Sequence, residues 1–188
     1  MAFIVVYDAN VLYPAPLRDL LLRIGAAGIV QARWTEEILD ECFRNILANR
    51  PDLKPDSLRR TRDLMNASIP DCLVKGYEPL MAGLHLPDAK DRHVLAAGIH
   101  AGAQVIVTHN LKDFPNKALS PFSIEAMAPD DFMLDAIDLS PGAVVRVVEE
   151  QAAALRRPPH TVNELLEKLR GQGLVQTVAK LNELLGKR

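Results

Sequence analysis

Two apolar, β-branched runs of this sequence, at 3–7 and 104–108, lead directly into acidic and polar side chains. The side chains at the ends of these runs are Asp8, Thr108, Asn110 and Asp113. In an open parallel sheet, ligands bind beyond the carboxyl ends of the strands, so this is where chemistry is expected. A carboxylate there loses hydration and gains no packing, so an interaction or a function must explain its presence. The alternative is that Asp8 only caps the helix that follows.

A second acidic pair, Asp88 and Asp91, lies at the start of a predicted helix that continues through Ile99. Three-residue spacing is typical of an N-cap and an N3 side chain, so helix-end electrostatics alone can explain both acids. Capping needs only one carboxylate, however. One of the two aspartates is therefore free for another task.

Convergence of these acids predicts a metal site. If Asp8, Asp91, Asp113 and one acid from the helix at 35–49 meet, each pair of charges about 5 Å apart repels by roughly 3 kcal/mol at an effective dielectric near 20. Such a cluster needs raised pKa values or bound cations, and oxygen ligands are preferred by Mg²⁺ or Mn²⁺. Carboxylates with a hard cation indicate phosphodiester hydrolysis. Periodicity does not decide which helix acid takes part. The candidates are Glu37, Asp40 and Glu41.

Strands and helices alternate through the first part of the chain, which predicts an α/β fold with a central, mostly parallel sheet. A second strand is predicted at Ile29–Val30, after a helix that Gly25 and Gly28 are expected to end. Further helices are predicted at 35–49, where Thr35 is the N-cap, and at 57–67, and a last strand at 122–127.

From residue 140 onward the pattern is helical only. Helices are predicted at 144–155, after Thr161, and at 174–185, with Thr161 and Glu164 forming a capping box. We therefore divide the chain into a domain at 1–139 and a helical C-terminal extension at 140–188.

The composition indicates a folded protein without a membrane-spanning segment. The chain has 188 residues, 48% hydrophobic and 24% charged, and a net charge of −2 that neither favours nor excludes a nucleic-acid partner. The first residues lack the features of a signal peptide, so we expect a cytoplasmic protein. Cys42 and Cys72 are expected to be free thiols. No two histidines have the spacing of a zinc helix motif.

Three segments in order resemble the PIN domain family, in particular the VapC-type toxins of bacterial toxin–antitoxin pairs. The first is Val5 to Leu12, the second is Trp34 to Glu41, and the third combines Leu86 to Ala97 with Val105 to Phe114. Together they place the resemblance over residues 3–137. It implies a PIN-like three-layer α/β/α fold.

The resemblance also assigns roles to the acids. It implies that Asp8, Glu41 and Asp91 bind metal, and it selects Glu41 from the helix candidates. Some relatives carry the fourth acid where this chain has Asn110, and others carry it at the position of Asp113, which we take as the fourth ligand. The implied supporting positions are Asp88, Asn10, Thr108 and Asn110, the last two as hydrogen-bond partners of the metal's water or of phosphate.

The implied function is a metal-dependent endoribonuclease that uses Mg²⁺ or Mn²⁺ and pairs with a small antitoxin protein. A homodimer is also implied. Two alternatives remain open. One is a haloacid-dehalogenase-like phosphatase with Asp8 as nucleophile, although that family has a second aspartate where this chain has Asn10. The other is a non-catalytic PIN-like module that binds RNA or protein.

Overall fold

Four short strands form the centre of the chain. The structure is a computed structural model that describes residues 3–156 and 158–186, so Met1 and Ala2 lie outside the described residues. The strands are β1 (Ile4–Tyr7), β2 (Gln31–Arg33), β3 (Val105–Val107) and β4 (Glu125–Met127). They pair in the order β2-β1-β3-β4, and all three pairings are parallel. The predicted parallel sheet is confirmed.

The chain order changes direction between β1 and β3. The connection from β1 leads outward to β2, whereas the connection from β3 leads outward to β4 on the other side. In the register, Tyr7 at the end of β1 lies opposite Val107 at the end of β3. Where the connections from two neighbouring parallel strands lead to opposite sides, a crevice opens at the carboxyl ends of those strands. The residues after Tyr7 and Val107 line that crevice.

Helices cover the sheet, and their packing explains the apolar runs. Helix α5 packs on β1 and β3, and α2 packs on β2. Strands that are covered in this way appear in the sequence as continuous apolar runs, and Val5 and Val6 of β1 are both buried. The helices are α1 (Ala9–Leu12), α2 (Ala15–Ala26), α3 (Glu36–Asn49), α4 (Pro55–Ser68), α5 (Arg92–Ala101), α6 (Asn116–Leu119), α7 (Pro129–Leu139), α8 (Pro141–Ala154), α9 (Val162–Gly171) and α10 (Val175–Gly186).

The prediction of a second strand at Ile29–Val30 was wrong. The Ile29 backbone N–H closes the end of α2 by donating to Ile24 O, and the ladder begins only where Gln31 N–H donates to Phe3 O. Gly28, with φ of +71°, makes the turn between them. The helix end expected at Gly25 and Gly28 is confirmed, because α2 ends at Ala26, between the two glycines. Gly25 is also a close-packing position, since an added Cβ would lie 2.7 Å from Ile69 Cδ1.

The C-terminal helices pack against the rest of the chain. Helix α8 lies on α2 and α7, and Gln151 Nε2 donates to Pro16 O at 2.9 Å. Asp130 of α7 accepts hydrogen bonds from the backbone N–H groups of Gln176 and Thr177 at the start of α10. The predicted capping box of Thr161 and Glu164 is confirmed at the start of α9. The division of the chain at residue 139 stays a prediction.

The expectation of free thiols is confirmed, since Cys42 and Cys72 are buried and unpaired with each other. Trp34 and Phe114, at the ends of two of the segments that carry the resemblance, are buried in the hydrophobic core. Within the described ranges, no helix combines the length and the apolar character needed to cross a membrane.

Candidate active site

Asp8 lies at the carboxyl end of β1, directly beside the end of β3. Its backbone N–H donates to Val107 O at 3.1 Å, which continues the ladder by one residue. Its Oδ1 accepts from Ala9 N–H at 2.7 Å and so caps α1, while Oδ2 accepts from the Thr108 hydroxyl at 2.7 Å. Burial raises the pKa of Asp8, and the bonds from Thr108 and Ala9 oppose that rise. Asp8 therefore caps a helix and also faces the crevice.

Asn10 and Thr108 hold this corner together. Asn10 Nδ2 donates to Asp8 Oδ2 at 2.6 Å and to Thr108 Oγ1 at 2.9 Å, and Asn10 Oδ1 accepts from His109 N–H at 2.9 Å. Thr108 Oγ1 also accepts from Asn110 N–H at 3.0 Å. Thr108 is fully buried, so its hydroxyl is committed to Asp8 and not to solvent. Asn10 acts as a hydrogen-bond donor to Asp8 and not as a second carboxylate.

Glu41 comes from α3, whose start is fixed by the Thr35 hydroxyl accepting from Ile38 N–H at 3.0 Å. The structure separates the three acids of this helix. Asp40 accepts from Arg62 Nη1 at 2.7 Å on the α4 side, whereas Glu41 interacts electrostatically with Asp8. A contact with His93 holds the pKa of Glu41 below its ordinary value. Glu41 is thus the α3 acid for which the structure shows an electrostatic interaction with Asp8.

Asp88 and Asp91 have different roles in the structure. Asp88 Oδ1 accepts from Lys90 N–H at 2.9 Å and caps a single 3-10 turn, Ala89–Asp91, after which α5 begins at Arg92. The predicted helix therefore starts later than Asp88. Asp91 makes no capping hydrogen bond with its side chain. Burial first, and then the nearby carboxylates Asp8, Asp88 and Asp113, raise the pKa of Asp91 to about 6.

The loop after β3 contains a matching 3-10 turn, Leu111–Asp113. Asn110 Nδ2 donates to Asp113 Oδ2, so the two alternatives for the fourth position lie side by side. Asp113 supplies the carboxylate that contributes to the raised pKa of Asp91, and Asn110 supplies a hydrogen bond to it. The sequences Asp88-Ala89-Lys90-Asp91 and Asn110-Leu111-Lys112-Asp113 thus form two similar turns at the same crevice.

His93 and Tyr77 border the site but were not among the predicted site residues, and both contact Glu37, one of the three acids of α3 that the sequence offered. His93 is 3% exposed and lies between Glu37 and Glu41. The Tyr77 hydroxyl donates to Glu37 Oε2 at 3.0 Å. The four-residue spacing of the two glutamates was visible in the sequence. Their contact with α5 was not, because it depends on how α3 and α5 are placed.

The donor set agrees in chemistry with a hard cation. Asp8, Glu41, Asp91 and Asp113 offer only carboxylate oxygens, which are the ligands that hard cations prefer. Burial is the largest cause of the raised pKa of Asp91, and the nearby carboxylates raise it further, a repulsion that a cation would relieve. Across residues 3–156 and 158–186, no three histidine, cysteine, aspartate or glutamate side chains are arranged to hold a metal ion as they stand. Thr108 donates a hydrogen bond to Asp8, and Asn110 donates one to Asp113. These bonds hold the two acids in place although like charges repel.

Comparisons with known proteins found similar domain profiles and a similar protein. The PIN domain profile matches residues 4–112, and the VapC50 C-terminal domain profile matches residues 129–183. A Mycobacterium tuberculosis protein named "Putative ribonuclease VapC50" is 45% identical over 109 residues, which are 58% of this chain and 63% of that protein. The match thus spans less than two thirds of that relative's length. No solved structure matches significantly. Because the PIN domain match covers more than half of the residues, the chain belongs to the PIN domain family.

Proposed function

We propose that this chain is a metal-dependent endoribonuclease that hydrolyses RNA phosphodiester bonds. The observation that carries the proposal is the position of Asp8 at the end of β1, where the Thr108 hydroxyl after β3 donates to it at 2.7 Å in the crevice of the sheet. Glu41 and Asp91 interact electrostatically with Asp8 there. Burial first, and then the carboxylates Asp8, Asp88 and Asp113, raise the pKa of Asp91 to about 6. Charge is concentrated here at the crevice where a parallel sheet binds ligands. The name of the Mycobacterium tuberculosis relative supports ribonuclease activity.

In the proposed site, Asp8, Glu41, Asp91 and Asp113 hold Mg²⁺ or Mn²⁺. When bound, such a cation supplies positive charge that activates water and stabilises the attacked phosphate. The chain itself keeps Asp8 in place through the hydrogen bonds from Thr108 and Asn10, and the bond from Thr108 opposes the rise that burial causes in the pKa of Asp8. The carboxylates would draw together on binding, because the cation replaces repulsion with attraction.

Two lysines are placed to bind the RNA backbone. Lys90 precedes Asp91 and Lys112 precedes Asp113, each in a 3-10 turn at the crevice, and both side chains are exposed. Neither side chain makes an ion pair with another described residue. We propose that they contact phosphates on either side of the bond that is cut, since ammonium groups bind phosphate as point charges.

The proposed partners follow from the VapC-type resemblance. We propose that the chain is the toxin of a toxin–antitoxin pair in the cytoplasm, that it binds a small antitoxin protein, and that it forms a homodimer. We also propose that 1–139 is the nuclease domain and that 140–188 is a helical extension. Co-expression with a neighbouring small open reading frame, followed by size-exclusion chromatography with light scattering, tests both partners.

A cleavage assay tests the activity directly. Purified protein is incubated with single-stranded RNA and Mn²⁺, Mg²⁺ or a chelator, alongside Asp8→Asn and Asp91→Asn variants. Asp63→Asn, which changes an exposed acid of α4, is the matched control. We expect cleavage only with metal, and loss of cleavage in both site variants but not in the control. Cleavage that persists in chelator, or in either site variant, would contradict the mechanism. RNA binding without any cleavage would favour the non-catalytic module.

The phosphatase alternative has lost its support. Asn10 donates its amide to Asp8, whereas a haloacid-dehalogenase-like site needs an acid at that position. The chain also matches the PIN domain profile over residues 4–112, which supports the nuclease and not the phosphatase. A phosphatase would trap a covalent phospho-aspartate on Asp8, and we expect none.

A further inference from the structure

His93 occupies an unusual place for a buried histidine. It lies in the first turn of α5 with both ring nitrogens directed toward carboxylates of α3. Its Nε2 is 3.6 Å from Glu41 Oε2, and its Nδ1 is 3.9 Å from Glu37 Oε2. Residues four apart lie on the same face of a helix, so Glu37 and Glu41 flank one imidazole. The ring therefore spans the gap between a candidate metal ligand and a second glutamate behind it.

Glu37, the second glutamate, is held in place by a hydrogen bond. Tyr77, which is buried, donates its hydroxyl to Glu37 Oε2 at 3.0 Å. The contacts form a continuous path from Tyr77 through Glu37 and His93 to Glu41. Each member lies on a different segment from the next, since Tyr77 precedes a 3-10 turn, the glutamates belong to α3, and His93 belongs to α5.

Packing alone does not account for this arrangement. His93 Nδ1 is buried and has no hydrogen-bond partner among the described residues. A buried polar atom left unpaired costs free energy, which an apolar side chain in the same place would avoid. Glu37 Oε2 lies 3.9 Å from this nitrogen, beyond hydrogen-bond distance. The imidazole therefore lies beside Glu41 at a cost to stability, which indicates a role at the site.

We propose that His93 is a positioning residue that aims the carboxylate of Glu41 at the space shared with Asp8 and Asp91. The inference rests on the proposed metal-dependent activity and deepens it. Glu41 is half-exposed on a helix surface, so without a neighbour its side chain samples several rotamers. The imidazole, backed by Glu37 and Tyr77, restricts those rotamers before the cation arrives. Partners behind a metal ligand typically change metal affinity or activity by about 10–100-fold when removed.

The test measures Mn²⁺ affinity by calorimetry, independently of cleavage. His93→Leu replaces the ring with an apolar side chain of similar size that lacks both nitrogens, and we expect the Mn²⁺ dissociation constant to rise by about 10–100-fold. His93→Gln introduces an amide that can donate toward Glu41 and is expected to recover most of the affinity. If His93→Leu does not fold, Tyr77→Phe and Glu37→Gln interrupt the same path, and each is expected to weaken Mn²⁺ binding by about tenfold.

A double-mutant comparison separates positioning from general damage. In a Glu41→Gln background, His93→Leu should change Mn²⁺ affinity little further, because His93 acts through Glu41. Additive losses, or unchanged affinity in His93→Leu, would overturn the inference while leaving wild-type metal binding and RNA cleavage in place. If the wild-type protein binds no Mn²⁺ and cuts no RNA, the proposed function fails, and the inference fails with it.

Discussion

The Thr108 hydroxyl donates a 2.7 Å hydrogen bond to Asp8 Oδ2, and this bond joins the ends of two neighbouring strands that are 100 residues apart in sequence. It satisfies one oxygen of a buried carboxylate whose other oxygen accepts from the Ala9 N–H. Desolvation favours the protonated acid and raises the pKa of Asp8, and donors of this kind oppose that rise. The strand pairing thus places a donor that favours the anionic form of the proposed metal ligand.

Thr108→Val should weaken metal binding and RNA cleavage by about 10–100-fold, because it removes the hydroxyl while retaining the shape of the side chain. Thr108→Ser, which retains the hydroxyl, is the control and should stay near wild type. Calorimetric Mn²⁺ titration and cleavage rates measure the effect. Equal values for the valine and serine variants would show that the bond to Asp8 is not needed.

Asp91→Asn should stabilise the metal-free protein at neutral pH. The folded-state pKa of Asp91, about 6, lies above its ordinary value of 3.8, so the folded protein holds this proton more tightly than the unfolded chain does. Stability from this group is therefore present at low pH and is lost as the pH rises through about 6. Asp91→Asn has no carboxyl group to ionise at this position, so its stability is not lost in this way as the pH rises.

Thermal melting in chelator, from about pH 4 to pH 8, measures this difference. The melting temperature of Asp91→Asn minus that of wild type should be small at the acid end and should grow through about pH 6. Addition of Mn²⁺ at neutral pH should favour wild type instead. A difference that does not change with pH would mean that neither burial nor the neighbouring carboxylates raise the pKa of Asp91 in the folded protein.

Lys90→Ala and Lys112→Ala should each reduce the salt dependence of RNA binding. Each lost phosphate contact lowers the slope of log K against log salt by about 0.7 for single-stranded nucleic acid. Fluorescence anisotropy with the non-cleaving Asp8→Asn variant and Mg²⁺ measures the slope without degradation of the probe. Lys54→Ala, beyond the far end of α3, is the control and should leave the slope unchanged. Unchanged slopes in both site variants would place the RNA elsewhere.

Gly25→Ala should destabilise the fold by about 1–3 kcal/mol, although alanine is the better helix former. An added Cβ would lie 2.7 Å from Ile69 Cδ1 and 3.0 Å from Ala32 Cβ. Ile69→Val removes Cδ1, so the double variant should be less destabilised than the sum of the two single variants. Gly142→Ala, where nothing lies within 4 Å, is the control and should be neutral or stabilising in urea denaturation. Strict additivity would exclude the contact with Ile69.

The fold was largely predictable because local patterns carry it. Apolar β-branched runs gave β1 and β3, Thr35 marked the start of α3, and Thr161 with Glu164 marked the start of α9. The second strand was misplaced because an apolar pair, Ile29–Val30, matched the strand pattern equally well. A backbone hydrogen bond from Ile29 to the end of α2, which the pattern does not show, decided the outcome.

The sequence by itself determined which residue types the crevice would contain, because Asp8 and Thr108 stand directly after apolar strands and strand ends meet at one edge of a parallel sheet. Helix periodicity did not separate Glu41 from Asp40, since both border the apolar stripe of α3, and only the family resemblance selected Glu41. The tertiary structure supplies the physical distinction, by bringing Arg62 to Asp40 and His93 to Glu41. The physical reason is that hydrogen bonds and charge interactions act over a few ångströms in space, and helix periodicity does not specify which neighbouring helix lies at that distance.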